Sequence, residues 1–126
     1  MRTIIAISVG FAILFGISLY ITKEINYSSE TVQSKLEQVE MLINSDNWDE
    51  AVIKTNEAYE YWSKAKEWWA IALNHNTLNS IDVAYTRLQQ FNNTRETPHS
   101  LAELNTLIIL FKDIAKSETL KLNNIF

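Results

Sequence analysis

The first twenty-odd positions and the remaining hundred follow different patterns. From Thr3 to Thr22 every side chain is uncharged and most are large and apolar, with no polar face. Twenty residues at about 1.5 Å of rise each reach roughly 30 Å, the thickness of a bilayer core. From Lys23 onward the apolar residues instead recur every third or fourth position, the period of a helix that buries one stripe. Val32, Leu36, Val39 and Ile43 form one such seam, with Leu42 beside it. Lys23 to Asn44 either continues directly from the apolar segment or starts anew, with Ser28 or Ser29 as the cap. Asn44-Ser45-Asp46-Asn47 has the composition of a turn, and Asp46 or Asn47 is placed to cap the next helix.

The next run, Trp48 to Leu73, keeps a heptad repeat over nearly its whole length. Ala51, Ala58, Ala65 and Ala72 share one column, Trp48, Thr55, Trp62 and Trp69 another, and Val52, Tyr59, Lys66 and Leu73 a third. Tyr61, Trp68 and His75 widen the apolar arc to roughly 160°, broad enough to touch two neighbours in a bundle. Asn74 to Thr77 is read as a break, although no Gly or Pro enforces it; without the break the two runs would form one rod. Leu78, Ile81, Ala84, Tyr85, Leu88 and Phe91 continue the pattern. Asn92 to Glu96 reads as a loop, and Thr97-Pro98 as a cap with Pro at the first helical position. The last helix carries Leu101, Leu104, Leu107, Ile108, Phe111, Ile114, Ala115 and Leu122 on its apolar face. The closing Asn123-Asn124-Ile125-Phe126 either docks its apolar pair or frays.

The expected fold is therefore all-α: an N-terminal transmembrane helix over residues 1–23, then an antiparallel bundle of three or four helices over residues 24–126. The 126 residues suit one small domain, and only two Gly and one Pro interrupt it. A cleaved signal peptide is the rival reading of the first segment, with Gly16 and Ser18 as a weak cleavage site. The long apolar run and the missing Ala-x-Ala end favour an uncleaved signal-anchor. Arg2 precedes the span while Lys23 and Glu24 cancel after it. This favours a cytoplasmic N-terminus and an extracytoplasmic bundle in the cell membrane. Within the span, Ser8, Ala12 and Gly16 recur every fourth residue, a candidate face for close packing with another membrane helix.

Charge and reactive groups narrow the function. With 11 basic and 15 acidic residues, a net charge of −4 and no basic cluster, nucleic acid is not an expected partner. Cys is absent, which removes thiol chemistry, thiolate metal sites and an acylated Cys anchor. His99 has Glu103 four residues on, a possible two-ligand pair, but reads more simply as an exposed first-turn residue. His75 has no ligand-type helical neighbour and is expected to meet the carbonyls that end the long helix. Glu50 with Lys54 and Glu60 with Lys64 stand at ion-pair spacing on a solvated face. No catalytic residue, metal ligand or cofactor is assigned. Trp62 and Trp69 are expected in the core; with His75 they form the candidate ligand pocket if one exists. Tyr61 and Trp68, at the edge of the arc, form the candidate partner surface.

The order of features also carries a resemblance. A single span is followed by Trp48-Asp49-Glu50-Ala51, Trp62, Trp69 and His75. Then come Ile81-Asp82, Arg87-Leu88, Leu101-Ala102-Glu103-Leu104 and Asn124-Ile125-Phe126. This resembles an uncharacterised domain-of-unknown-function family of small, single-span, Trp-rich helical membrane proteins of Gram-positive spore-forming bacteria, over essentially the whole chain. The resemblance implies a bacterial membrane protein and supports the helical fold; it implies no activity, substrate or binding residue. With only Met1 and Arg2 expected inside the cell, an effect on the interior would pass through another membrane protein. The expected role is a non-enzymatic accessory or scaffolding subunit that binds a membrane partner or itself. The alternative is an extracytoplasmic ligand-sensing bundle that signals through a partner, with a polar gap among Trp62, Trp69 and His75.

Overall fold

A computed structural model describes residues 1–125, with side chains to Ser117. The backbone is four helices with no strand among the described residues: α1 (Arg2–Asn44), α2 (Trp48–Ala72), α3 (His75–Asn93) and α4 (Thr97–Ile125). Leu122 and the closing Asn123-Asn124-Ile125-Phe126 lie outside the described side chains. Each helix packs against two others: α1 and α3 both touch α2 and α4.

α1 runs unbroken through the expected boundary at residues 23 and 24 and so enters the bundle without a hinge. Its first half is exposed almost throughout. Its second half buries Ile25, Ser29, Val32, Leu36, Val39 and Ile43 at alternating spacings of four and three, the seam of helices in left-handed contact. Of the two readings of this stretch, direct continuation holds, and no new start forms at Ser28 or Ser29. Ser29 is fully buried mid-helix, donating from Oγ to the Phe111 carbonyl at 2.8 Å and accepting from Gln33 Nε2 at 2.9 Å. Because the hydroxyl finds a partner on α4, it does not compete with the helix backbone.

The turn after α1 forms as its composition suggests, but neither expected cap forms through its side chain. Asp46 takes φ 62° and accepts a hydrogen bond from Trp48 Nε1 at 2.9 Å. Asn47 begins α2 through its carbonyl, which receives the Ala51 N–H at 3.0 Å. Along α2, the heptad columns sort by depth. Trp48, Thr55, Trp62 and Trp69 are buried with Ala51 and Ala58, the next column is half-buried, and Trp68 is exposed.

The break after α2 is real and has a local cause. Leu73 is extended at φ −111° and ψ 153°. Asn74 then caps α3, its Oδ1 accepting from Thr77 N–H at 2.9 Å and from Thr77 Oγ1 at 3.0 Å. A short polar side chain that satisfies the free N–H groups of a new helix start takes the role usually given to Gly or Pro. At the next turn Arg95 takes φ 55°, and α4 begins at Thr97, which places Pro98 second rather than first. Pro is tolerated there for the same reason, since first-turn N–H groups have no helical partner.

Candidate functional site

The aromatic core sits where α2 and α4 face one another across the bundle. Trp62, Trp69 and Phe111 are at most 1% exposed. They meet edge to face, with ring centroids 5.1 Å apart for Trp62–Trp69, 5.3 Å for Trp62–Phe111 and 5.6 Å for Trp69–Phe111. Such edge-to-face contacts contribute about 0.5–1.5 kcal/mol per pair beyond area burial. Tyr85 adds a fourth large ring, with its centroid 5.4 Å from that of Tyr59. Its hydroxyl is buried without a hydrogen-bond partner, and burial pushes the phenol far above its ordinary pKa.

Trp62 is fixed by a residue that periodicity did not single out. Asp82 accepts from its Nε1 at 3.0 Å and also pairs with Lys66, so one carboxylate joins α3 to two turns of α2. The signal in the sequence is that Asp82 is the single acidic residue between Trp68 and Arg95. Trp69 Nε1, by contrast, has no hydrogen-bond partner among the described residues. Its ring lines a notch of about 20 Å³ with Trp68, Ile21, Glu24, Ile25 and Ser28, room for about one water molecule.

His75 does not join the two indoles as a pocket wall. It is exposed as the first residue of α3, because Leu73 and Asn74 have already ended α2. The expectation that it meets the closing carbonyls of the long helix is corrected on the same ground. His99 turns toward Phe91, with centroids 4.9 Å apart, and its Nδ1 lies 3.8 Å from Glu96. Glu103 lies 3.9 Å from Arg87 instead. Among the described residues, no group of three His, Cys, Asp or Glu side chains converges to hold a metal. Lys54 pairs with Glu57 at 3.3 Å, not with Glu50.

The two residues of the candidate partner surface differ. Tyr61 is half-buried, with Lys35 Nζ 5.7 Å from its ring centroid, a spacing that lets a cation meet the ring face. Trp68 is 52% exposed and touches Tyr20 of α1 edge to face, with centroids 6.1 Å apart. Ser8, Ala12 and Gly16 are exposed on the first half of α1, and a Cβ added at Gly16 would meet nothing within 4 Å among the described residues.

A polar groove of about 290 Å³ lies between α2 and α3. Asn92 donates to Thr55 Oγ1 at 3.0 Å, Thr55 donates to the Ala51 carbonyl at 2.7 Å, and Gln89 donates to Asn56 at 3.2 Å. These are neutral amides and one hydroxyl whose proton goes to the Ala51 carbonyl, so the groove can orient a polar molecule or water.

Residues 19–125 match the family described as Domain of unknown function (DUF4363). The chain belongs to the DUF4363 family. No curated protein and no solved structure matches it. The matched range opens at Leu19, beside Tyr20 and the last turn of the apolar segment, and runs through all four helices. The match supports the resemblance to an uncharacterised family expected from the sequence, and residues 1–18 lie outside the matched range.

Proposed function

We propose that this DUF4363 protein is a non-enzymatic accessory or scaffolding protein, anchored in the cell membrane by residues 1–23 and acting through contacts with a membrane protein or a second copy. The bundle over residues 24–126 lies on the extracytoplasmic side, as Arg2 ahead of the span favours. The observation that carries this reading is the first half of α1. It is long and apolar enough to cross a bilayer, and none of its most apolar stretch is buried by the rest of the chain. A contiguous apolar surface of that size is stable only when covered, and lipid covers it on all sides.

The bundle supports the same reading. Thr55 meets Asn92, Asn56 meets Gln89, and Trp62 and Lys66 meet Asp82. Rising numbers on α2 pair with falling numbers on α3, as an antiparallel arrangement requires. Its aromatic centre is filled by side chains, which suits a rigid spacer better than a ligand chamber. Contact with a partner is then left to the Ser8-Ala12-Gly16 face and to the outer surface of the bundle.

Affinity purification of the tagged full-length protein from native membranes in mild detergent tests this. The expected result is a stoichiometric integral membrane partner or a homomer that is lost when Ala12 and Gly16 are changed to Leu. Recovery of a lone monomer, or release of the protein into the supernatant by alkaline carbonate, overturns it.

A further inference from the structure

The corner between α2 and α3 is chemically unlike the turns at the opposite end of the bundle. At one end, the turns Ser45–Asn47 and Thr94–Glu96 are joined by an ion pair between Asp49 and Arg95 at 3.6 Å, with Asp46, Glu50 and Glu96 close by in sequence. At the other end lies the corner between α2 and α3. No Asp, Glu, Lys or Arg occurs from Trp68 to Ile81. After Glu67, the exposed residues at this corner are Trp68, Ala70 and Ile71, followed by Asn74, His75 and Asn76.

The position of that corner is fixed relative to the apolar segment. α2 runs back from the turn at Ser45–Asn47 until Trp68 meets Tyr20, with centroids 6.1 Å apart. Tyr20 stands in the last turn of the apolar run, so Trp68 shares its depth. Ile71, one turn further along α2 and 68% exposed, lies deeper still. The exposed apolar patch of the bundle is thus continuous with the apolar surface of α1.

We infer that the α2–α3 corner is seated in the headgroup layer of the bilayer that α1 crosses, with Trp68 and Ile71 as its anchors. The inference rests on the anchor reading of residues 1–23 and assigns Trp68 to lipid rather than to a protein partner. Indole and phenol rings favour the interface, where one edge meets hydrocarbon and the other meets water. Ile71 contributes apolar area, and the neutral Asn74, His75 and Asn76 place no fixed charge against the lipid. The charged end points away into water. Together with the unbroken α1, this seat holds the bundle close to the membrane at a defined tilt instead of leaving it free to swing.

Because the chain has no native Cys, spin labels report single sites without background. The full-length protein is reconstituted in phosphatidylcholine–phosphatidylglycerol vesicles with a nitroxide at Ile71→Cys, Leu14→Cys or Met41→Cys. Accessibility is then compared between oxygen, which enters lipid, and a polar nickel chelate, which does not. The expected oxygen-to-nickel ratio is highest at 14, several-fold above the aqueous value at 71, and aqueous at 41. Trp68→Asp, which alters an exposed side chain and not the core, is expected to move the label at 71 toward the aqueous value. A lipid value at 14 with an aqueous value at 71 overturns the seat and leaves the anchor standing. Aqueous values at both sites overturn the anchor and the seat with it. A label at 71 shielded from both reagents, with dipolar broadening, also overturns the seat in favour of contact between copies.

Discussion

The two halves of α1 are drawn from similar residues and meet opposite fates. Ile4, Ile7, Phe11 and Leu14 are exposed, whereas Ile25, Val32, Leu36 and Val39 are at most 1% exposed, within one uninterrupted helix. What separates them is arrangement. The first half is apolar around its whole circumference, so no single neighbour could cover it. The second half confines its apolar residues to one stripe, and Glu30, Glu37 and Glu40 occupy other faces. α2 and α4 close over that stripe, and Tyr20 against Trp68 marks the level where cover by protein gives way. Apolar content alone therefore does not say how a helix is covered; the angular spread of the apolar residues says whether one stripe or the whole circumference needs cover.

The largest test of this contrast pairs two leucines of α1. Leu36→Ala removes a fully buried side chain and is expected to lower stability by about 2–5 kcal/mol. Leu14→Ala, on the exposed half, is expected to change bundle stability by no more than about 0.5 kcal/mol. Thermal unfolding of the detergent-solubilised full chain, followed by near-ultraviolet circular dichroism, reads both; equal losses would break the contrast. A smaller test uses two serines. Ser29→Ala removes a buried hydroxyl that bonds to Phe111, a loss of about 1 kcal/mol. Ser8→Ala in the same assay is expected to be silent.

At neutral pH, Tyr85→Phe is expected to be close to neutral in stability, because the hydroxyl it removes is buried and unpaired. The difference grows in alkali. The folded chain keeps the phenol protonated because burial raises its pKa, while an unfolded tyrosine loses its proton near about pH 10. Below that value both states hold the proton and stability does not depend on this group. Above it the unfolded state binds fewer protons, so stability falls as pH rises. The wild type should therefore lose stability above about pH 10 faster than Tyr85→Phe, in parallel denaturation series. Identical alkaline profiles would show that Tyr85 is not held in a sealed core.

Much of this architecture was legible because helical packing repeats. The seam Val32–Leu36–Val39–Ile43, the Trp and Ala columns of α2 and the stripe of α4 all carry their period in the sequence, and the buried residues follow it. What escaped was whatever depends on one atom meeting another across helices. Ser29 looks like a cap by type, and only the nearby Phe111 carbonyl makes it a core residue. Asp82 looks like any surface acid until Trp62 and Lys66 reach it. The polar run from Asn74 announces a break, yet His75 falls on the far side of it because Asn74 caps forward. The candidate pocket failed to assemble around His75 for that reason: a heptad column assumes an unbroken helix, and this one ends three residues earlier.

The smallest expected effect on the bundle, and the most informative for the exposed half, comes from Gly16. Among the described residues, a Cβ there meets nothing within 4 Å, so Gly16→Ala needs no shift of any of them. The bundle should melt unchanged, since Gly16 touches none of its core. If the Ser8-Ala12-Gly16 face receives a second helix, however, the added methyl pushes the two backbones apart where small residues let them approach. Gly16→Leu should do so more strongly. Energy transfer between donor- and acceptor-labelled full-length chains in vesicles is expected to fall from wild type to Gly16→Ala to Gly16→Leu, or co-purification of a membrane partner to fall in that order. If neither association responds while Leu14 still lies in lipid, the first half of α1 is an anchor and nothing more. Contacts with partners would then have to come from the bundle.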